Sequence, residues 1–316
     1  LVKKNIISGD ELTTQEIIDI INLALKMKRG RRKGFGKNLL YGKLLAMIFQ
    51  RPSTRTRVSM EVGMYELGGK AINLSQQEIQ LGRGESVEDT ARTLSLYTNA
   101  IAARVTDDNF LERLSLGSKV PVINALSPNF HPLQTLADLQ TLYEIKGRLK
   151  GLRIAWVGDS TNVCNSLLVM APKVGVKVNV ASPKGYEPSS FALNVAGSSV
   201  KLTTEPKIAV KDVDAIFTDS IISMGKEAEA EERLRIFLPK YQVTSELMSL
   251  AKSDAVFMHC LPAYRGKEVV REVIDGEQSV VWIEAENRLH SFKAVMCYLL
   301  LEKERFEELL KLEIGE

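Results

Sequence analysis

The chain has 316 residues, 45% of them hydrophobic and 26% charged, with 42 basic against 39 acidic side chains for a formal net charge of +3. A balance so close to neutral excludes a broad basic face for nucleic acid or anionic membrane, so any anion site must be local. No apolar run approaches the roughly 20 residues of a membrane span, Leu1-Val-Lys-Lys4 does not read as a secretory signal, and Cys164, Cys260 and Cys297 suggest neither a disulfide framework nor a zinc site; a cytoplasmic enzyme of about two domains is expected.

A first helix is predicted over residues 13–29, with Ile17, Ile18, Ile21, Leu23 and Leu25 as its core face. Strands are predicted at 44–49, 70–74, 101–105 and 122–125, with helices at 53–68, 86–98, 109–117 and 131–146. Such alternation calls for a mainly parallel sheet flanked by helices. A second cycle follows Gly147-Arg-Leu-Lys-Gly151: strands at 152–157, 177–181, 213–218, 255–258 and 280–283, and a helix at 163–174. A long amphipathic helix is expected over 288–314, with Ala294, Leu299, Leu300, Phe306, Leu309 and Leu310 on its apolar side, long enough to cross back to the first domain. The expected architecture is α/β: two doubly wound domains, 1–147 and 148–287, and a C-terminal helix, 288–316, packing on the first.

The motif-rich stretches follow strands, and open α/β sheets bind ligands at the carboxyl ends of their strands. Phe49-Gln-Arg-Pro-Ser-Thr-Arg-Thr-Arg57 is the most informative. Ser53 reads as an N-cap, with Thr54, Arg55 and Thr56 in the first turn and Val58, Val62 and Tyr65 behind them at helical spacing. Unsatisfied amides, the positive end of a helix dipole, hydroxyls and a guanidinium together suit a phosphate. An ordinary capped surface helix would carry similar residues. Arg104, ending a strand, could meet an anion or a carbonyl oxygen, or a surface carboxylate. His131 and Gln134, three apart at the start of a helix opened by Pro132, could polarise one carbonyl or amide group.

Gly158-Asp-Ser-Thr-Asn162 occupies the place of a dinucleotide-binding turn but lacks its glycines, which counts against a nicotinamide-dependent dehydrogenase. Asp219 and Ser223, four apart before Met224-Gly225, could grip an ammonium group or simply belong to a solvated loop. Cys260 beside His259 raises a thiolate nucleophile, but no hydrolase pattern surrounds it, and a buried small residue reads the same way. Arg288 is expected near the start of the final helix, within reach of a ligand.

Taken in order, Ser53-Thr-Arg-Thr-Arg57, Gly82-Arg-Gly-Glu-Ser-Val-Glu-Asp-Thr-Ala-Arg92, His131-Pro-Leu-Gln134, Asp219 with Ser223-Met-Gly225, His259-Cys-Leu-Pro262 and Glu286-Asn-Arg-Leu-His290 resemble the aspartate/ornithine carbamoyltransferase family over nearly the whole chain. The Ser-Met-Gly and His-Cys-Leu-Pro strings resemble its ornithine branch. The resemblance implies transfer of the carbamoyl group of carbamoyl phosphate to the δ-amine of L-ornithine, giving L-citrulline and phosphate, without metal or organic cofactor. It implies that Ser53, Thr54, Arg55 and Thr56 bind the phosphate, that Arg104, His131 and Gln134 bind and polarise the carbamoyl group, and that Cys260, Leu261 and Arg288 close this pocket from the second domain. Asn162, Asp219, Ser223 and Met224 would hold the α-amino and α-carboxylate ends of ornithine, with Arg104, His131, Cys260 and Asp219 nearest the chemistry. The family forms trimers or multiples of trimers, with the loop around Gln80–Glu85 reaching a neighbour's site. Three positions depart from the branch pattern: Thr161, Ile222 and Tyr264, all on the ornithine side. A carbamoyltransferase acting on another amine and a non-enzymatic binder of phosphorylated metabolites are the remaining alternatives.

Overall fold

A computed structural model describes residues 4–222 and 226–313. The chain forms two compact units, one of residues up to Gln140 together with those from Glu286 on, the other Thr141–Ala285. In the first, β1 (Leu44–Phe49), β2 (Lys70–Ser75), β3 (Ala100–Arg104) and β4 (Val122–Leu126) form a parallel sheet in the order β2-β1-β3-β4. The near-continuous apolar run Leu-Leu-Ala-Met-Ile-Phe is what a strand covered on both faces requires, and all of β1 after Leu44 is buried. Around the sheet lie α1 (Thr14–Arg29), α2 (Thr54–Glu66), α3 (Val87–Tyr97), α4 (Asp108–Gly117) and the start of α5 (Pro132–Lys146). A capping box holds the start of α1, Glu16 N–H donating to Thr13 Oγ1 and Thr13 N–H to Glu16 Oε2.

The second unit has β5 (Arg153–Val157), β6 (Lys177–Ala181), β7 (Val200–Thr203), β8 (Ala215–Thr218) and β9 (Val256–His259), parallel and ordered β7-β6-β5-β8-β9. Its helices are α6 (Asn162–Met170), α7 (Ser190–Ala196), α8 (Pro206–Ala209), α9 (Ala230–Phe237), α10 (Ser245–Met248) and α11 (Arg271–Ile274); α12 (Val281–Leu300) and α13 (Lys303–Lys311) follow. The two-sheet α/β class expected from the sequence is the class observed.

Four details differ from the sequence reading. The apolar run at 280–283 is not a strand: the chain pairs with β9 through the isolated Phe257–Ser279 bridge and then enters α12. A four-residue apolar run cannot distinguish a strand from a buried helical turn. Strand β7, Val-Lys-Leu-Thr at the sheet edge, carries no such run and went unforeseen. The helix expected over 288–314 is two helices, broken at Leu301 and Glu302 and restarted at Lys303. On α1, Ile18 is only half-buried while Ile20, Ala24 and Met27 are inside.

The largest difference concerns α2. Val58 and Tyr65, whose spacing marked the helix, are 51% and 81% exposed, while Thr56, Met60, Gly63 and Met64 are buried. Gly63 explains the choice of face: a Cβ there would lie 2.7 Å from the Phe292 ring of α12 and 3.3 Å from Lys293 Cγ. The two helices approach closely only because residue 63 has no side chain, and that contact sets the buried face of α2. Lys293 seals it, its Nζ donating to Glu66 at 2.6 Å, while Arg31 holds the other carboxylate oxygen at 2.7 Å. Overpacking of this kind typically costs about 1–3 kcal/mol. We therefore expect Gly63→Val to lower the urea midpoint of unfolding, and an unchanged midpoint would show the contact to be slack.

Candidate active-site residues in each unit

In the first unit the register pairs Phe49 with Arg104, so the carboxyl ends of β1 and β3 lie side by side where the strand order reverses. From β1 the chain enters α2 through Ser53, whose extended backbone (φ −155°, ψ 112°) makes it the N-cap. Its hydroxyl makes no capping bond and instead accepts from Arg104 Nη1 at 3.4 Å. The first-turn amides of α2 therefore lack the usual Ser partner, as a helix end suited to an anion would. Thr56 is buried beneath this turn, while Thr54 and Arg55 face solvent.

From β4 the chain reaches His131, directly before Pro132 at the first position of α5. His131 and Gln134, 4% and 1% exposed, converge on one guanidinium: Arg288 Nη1 donates to Gln134 Oε1 and lies 3.2 Å from His131 Nε2. A guanidinium only donates, so Nε2 accepts and the ring proton sits on Nδ1. Burial, then the charges of Arg288, Arg104 and Arg55, hold the His131 pKa well below 6.5. The imidazole is therefore neutral across the physiological range, inside a positive cluster.

Arg288 does not come from the second unit, as the resemblance had implied, nor does it stand near a helix start. It is the eighth residue of α12, beyond Glu286, where the chain joins the first unit. The misread strand at 280–283 had displaced the helix start. Asn287 beside it is fully buried, its Oδ1 accepting from Lys28 Nζ at 2.9 Å and Gln140 Nε2 at 3.0 Å. Neither Lys28 nor Gln140 stood out in the sequence, since a lysine near a helix end and a helical glutamine are ordinary. Gln80 lies exposed in the turn Gln80–Arg83 and joins none of these hydrogen bonds.

In the second unit β5, β8 and β9 end in the three other suspected segments. Asp219 Oδ1, just past β8, accepts from Ser220 N–H at 2.7 Å and from the Cys260 thiol at 3.2 Å. Ser220 Oγ donates to the Pro262 carbonyl at 2.8 Å, tying the β8 and β9 loops together. Leu261 holds a left-handed φ of 58°, a conformation that costs a non-glycine residue about 1–2 kcal/mol. Its N–H donates to His259 Nδ1 at 2.9 Å, which puts the His259 proton on Nε2, 3.4 Å from Glu268 Oε1. His259 thus has its basic nitrogen occupied by backbone and is a poor activator of Cys260. Asp219, His259 and Cys260 do place one possible ligand atom each within 4.8 Å of one another, a set of O, N and S donors that a zinc ion could take.

Asn162 is the first residue of α6, after Thr161 as N-cap. Sequence reasoning also missed Arg233, in a run of charges on α9. It is 3% exposed, donates to the Ile221 carbonyl at 2.6 Å, pairs with Asp159, and lies 5.3 and 5.4 Å from the Tyr186 and Phe237 rings. One guanidinium thus links the turn before Asn162 to the loop after Asp219. The polar stretch 226–235 that contains it reads from sequence as a mobile loop, so nothing marked Arg233 as buried. Of the flagged departures, Ile222 packs on the second unit's apolar core and Tyr264 is 45% exposed. Ser223, Met224 and Gly225 lie outside the described residues.

Comparison with known proteins gives a consistent result. Residues 4–144 match the carbamoyl-P binding domain, and residues 150–299 the Asp/Orn binding domain, of the aspartate/ornithine carbamoyltransferase family. A relative from Cenarchaeum symbiosum named ornithine carbamoyltransferase is 52% identical over 301 residues, covering 94% of this chain and 98% of its own. One of the same name from Caldicellulosiruptor saccharolyticus is 49% identical, covering 94% and 99%. The solved ornithine carbamoyltransferase of Pyrococcus furiosus superposes with a TM-score of 0.90 at 48% identity, over 95% of this chain and 98% of that one.

Proposed function

This chain belongs to the aspartate/ornithine carbamoyltransferase family, and from that premise we propose how it transfers the carbamoyl group of carbamoyl phosphate to the δ-amine of L-ornithine, giving L-citrulline and phosphate. The observation that carries the reading is the convergence of Arg104, His131, Gln134 and Arg288 in the unit that also presents the start of α2. Ser53, Thr54, Arg55, Thr56 and the α2 amides hold the phosphate. Arg104, His131 and Gln134 hold the carbamoyl group, with Arg288 on the same set. Residues 1–147 and 288–316 serve carbamoyl phosphate; residues 148–287 serve ornithine. Asn162, Asp219, Ser223 and Met224 grip its α-amino and α-carboxylate groups, and Leu261 borders them.

The bond formed joins the δ-nitrogen to the carbamoyl carbon; the bond broken joins that carbon to the phosphate ester oxygen. Negative charge grows on the carbonyl oxygen and the departing phosphate. Thr56, Arg104 and neutral His131 offer donors to the first, Arg55 to the second. One preorganised donor is typically worth about 3–4 kcal/mol. The attacking amine must be neutral. An alkylammonium near pKa 10.4 costs about 4–5 kcal/mol to deprotonate at pH 7, and desolvation on binding reduces that cost. The departing phosphate takes the proton. The Cys260 thiol donates to Asp219, so we assign it to holding that carboxylate.

The test is citrulline formation by the purified protein across pH 6–9. Turnover at fixed ornithine should rise by up to about tenfold per pH unit as the amine loses its proton. His131 should add no limb of its own, because burial and the neighbouring guanidinium groups hold its pKa well below 6.5. Absence of citrulline would refute the reaction, and a flat profile would refute attack by the neutral amine. We further propose a cytoplasmic homotrimer or multiple of trimers, with Gln80 reaching a neighbour's site. The exposure of Val58, Tyr65, Leu96 and Tyr97 on α2 and α3 supports this, and sedimentation velocity would decide it.

A further inference from the structure

One helical turn beyond Gln134 on α5 lies Asp138, 1% exposed, whose Oδ1 accepts from Gln134 Nε2 at 2.8 Å. The other end of the same amide, Oε1, accepts from Arg288 Nη1. A primary amide has one accepting end and one donating end, a carboxylate only accepts, and a guanidinium only donates. With Asp138 on one side and Arg288 on the other, just one of the two amide orientations satisfies both neighbours. The reverse would set the amide NH2 against a guanidinium and its oxygen against a carboxylate, both in the buried interior.

We propose that Asp138 is the positioning residue that fixes Gln134 as a hydrogen-bond acceptor toward the carbamoyl cradle, and that this relay makes the protein select a carbamoyl group over an acetyl group of the same shape. The inference rests on the carbamoyl phosphate reading above. A carbamoyl group differs from acetyl by NH2 in place of CH3. An inward-facing amide oxygen keeps its bond from Arg288 and can accept a second from the NH2, a bond that the methyl cannot make. An inward-facing amide NH2 would instead clash with the carbamoyl NH2 and lose that discrimination. Sites built to hydrogen-bond an N–H discriminate strongly against the analogue lacking it.

Asp138→Asn keeps the shape but removes the constraint, because an asparagine can donate to Gln134 Oε1 as readily as accept from Nε2. Adding Gln134→Glu restores it by exchange. The carboxylate introduced at position 134 accepts from Arg288 and from the amide NH2 introduced at position 138, and the pair keeps its single negative charge. The experiment measures kcat/KM for carbamoyl phosphate and the inhibition constant of acetyl phosphate in wild type, D138N and Q134E/D138N. D138N should lose about 10- to 100-fold in kcat/KM, the scale of one hydrogen bond to a charged group. Its acetyl phosphate constant should stay within about threefold of wild type, because no hydrogen bond to NH2 is at stake there. The double variant should regain most of the lost selectivity. Equal losses toward both phosphates, unchanged selectivity in D138N, or a double variant no better than D138N would overturn the proposal. If D138N does not fold, the double variant decides alone, since a merely structural Asp138 would leave it as unselective as any damaged enzyme. A wild-type protein that binds acetyl and carbamoyl phosphate equally would overturn the proposal while leaving the transfer reaction standing, and one that binds neither would overturn the functional reading and this inference together.

Discussion

Arg55→Ala should lower kcat/KM for carbamoyl phosphate by about 10³-fold while leaving the fold intact, because one charge-assisted donor in a preorganised anion site is worth roughly 3–4 kcal/mol. Arg55 stands exposed in the first turn of α2, where truncation removes little buried surface. Surface substitutions of this kind stay within about 0.5 kcal/mol of wild-type stability. The variant should therefore unfold at the wild-type urea midpoint. The direction of the effect follows from charge: the leaving phosphate gains negative charge as its ester bond breaks, so the interaction with a guanidinium strengthens along the reaction. The loss should fall on kcat as well as on KM. Arg55→Lys should recover only part, since an ammonium is a point charge without the planar fork that meets two phosphate oxygens. Near-normal turnover by Arg55→Ala would remove the phosphate from the start of α2.

The parts of this site that were legible in the sequence are the ones made by chain-local geometry. A buried strand leading into a capped helix puts Ser53, Thr54, Arg55 and Thr56 in one turn, whatever the rest of the fold does. The same holds for His131 before Pro132, and for Gln134 one turn later. Arg288 was recognised as a candidate but set near a helix start, because Val-Val-Trp-Ile carries no period that separates strand from helix. Long-range pairing was not legible. Nothing in the sequence tells that Gly63 receives Phe292, so the spacing of Val58, Val62 and Tyr65 showed a helix but not which of its faces is buried. Arg233 shows the same limit from the other side. Charged neighbours made it look solvated, yet its guanidinium is sealed between two aromatic rings and two loops. Only the tertiary fold brings in Asp159, the carboxylate that makes such burial tolerable.

Asp219→Asn should raise KM for ornithine by about 10²-fold, since breaking a desolvated carboxylate–ammonium contact costs roughly 2–4 kcal/mol while the amide keeps the residue's shape. The loop should survive, because an asparagine oxygen can still accept from Ser220 N–H and from the Cys260 thiol, as Asp219 does. The carbamoyl phosphate residues belong to the other unit, so KM for that substrate should move far less. A second substrate separates recognition from structure. Putrescine carries the same attacking amine but neither the α-amino nor the α-carboxylate group, and so has nothing for Asp219 to hold. If the carboxylate grips the α-ammonium, Asp219→Asn should depress activity with ornithine and leave the weaker activity with putrescine nearly unchanged, collapsing the preference between them. If Asp219 only braces the β8 and β9 loops, both substrates should suffer alike and the preference should persist. The ratio of the two kcat/KM values, measured in the same preparation, decides between these roles without reference to absolute activity.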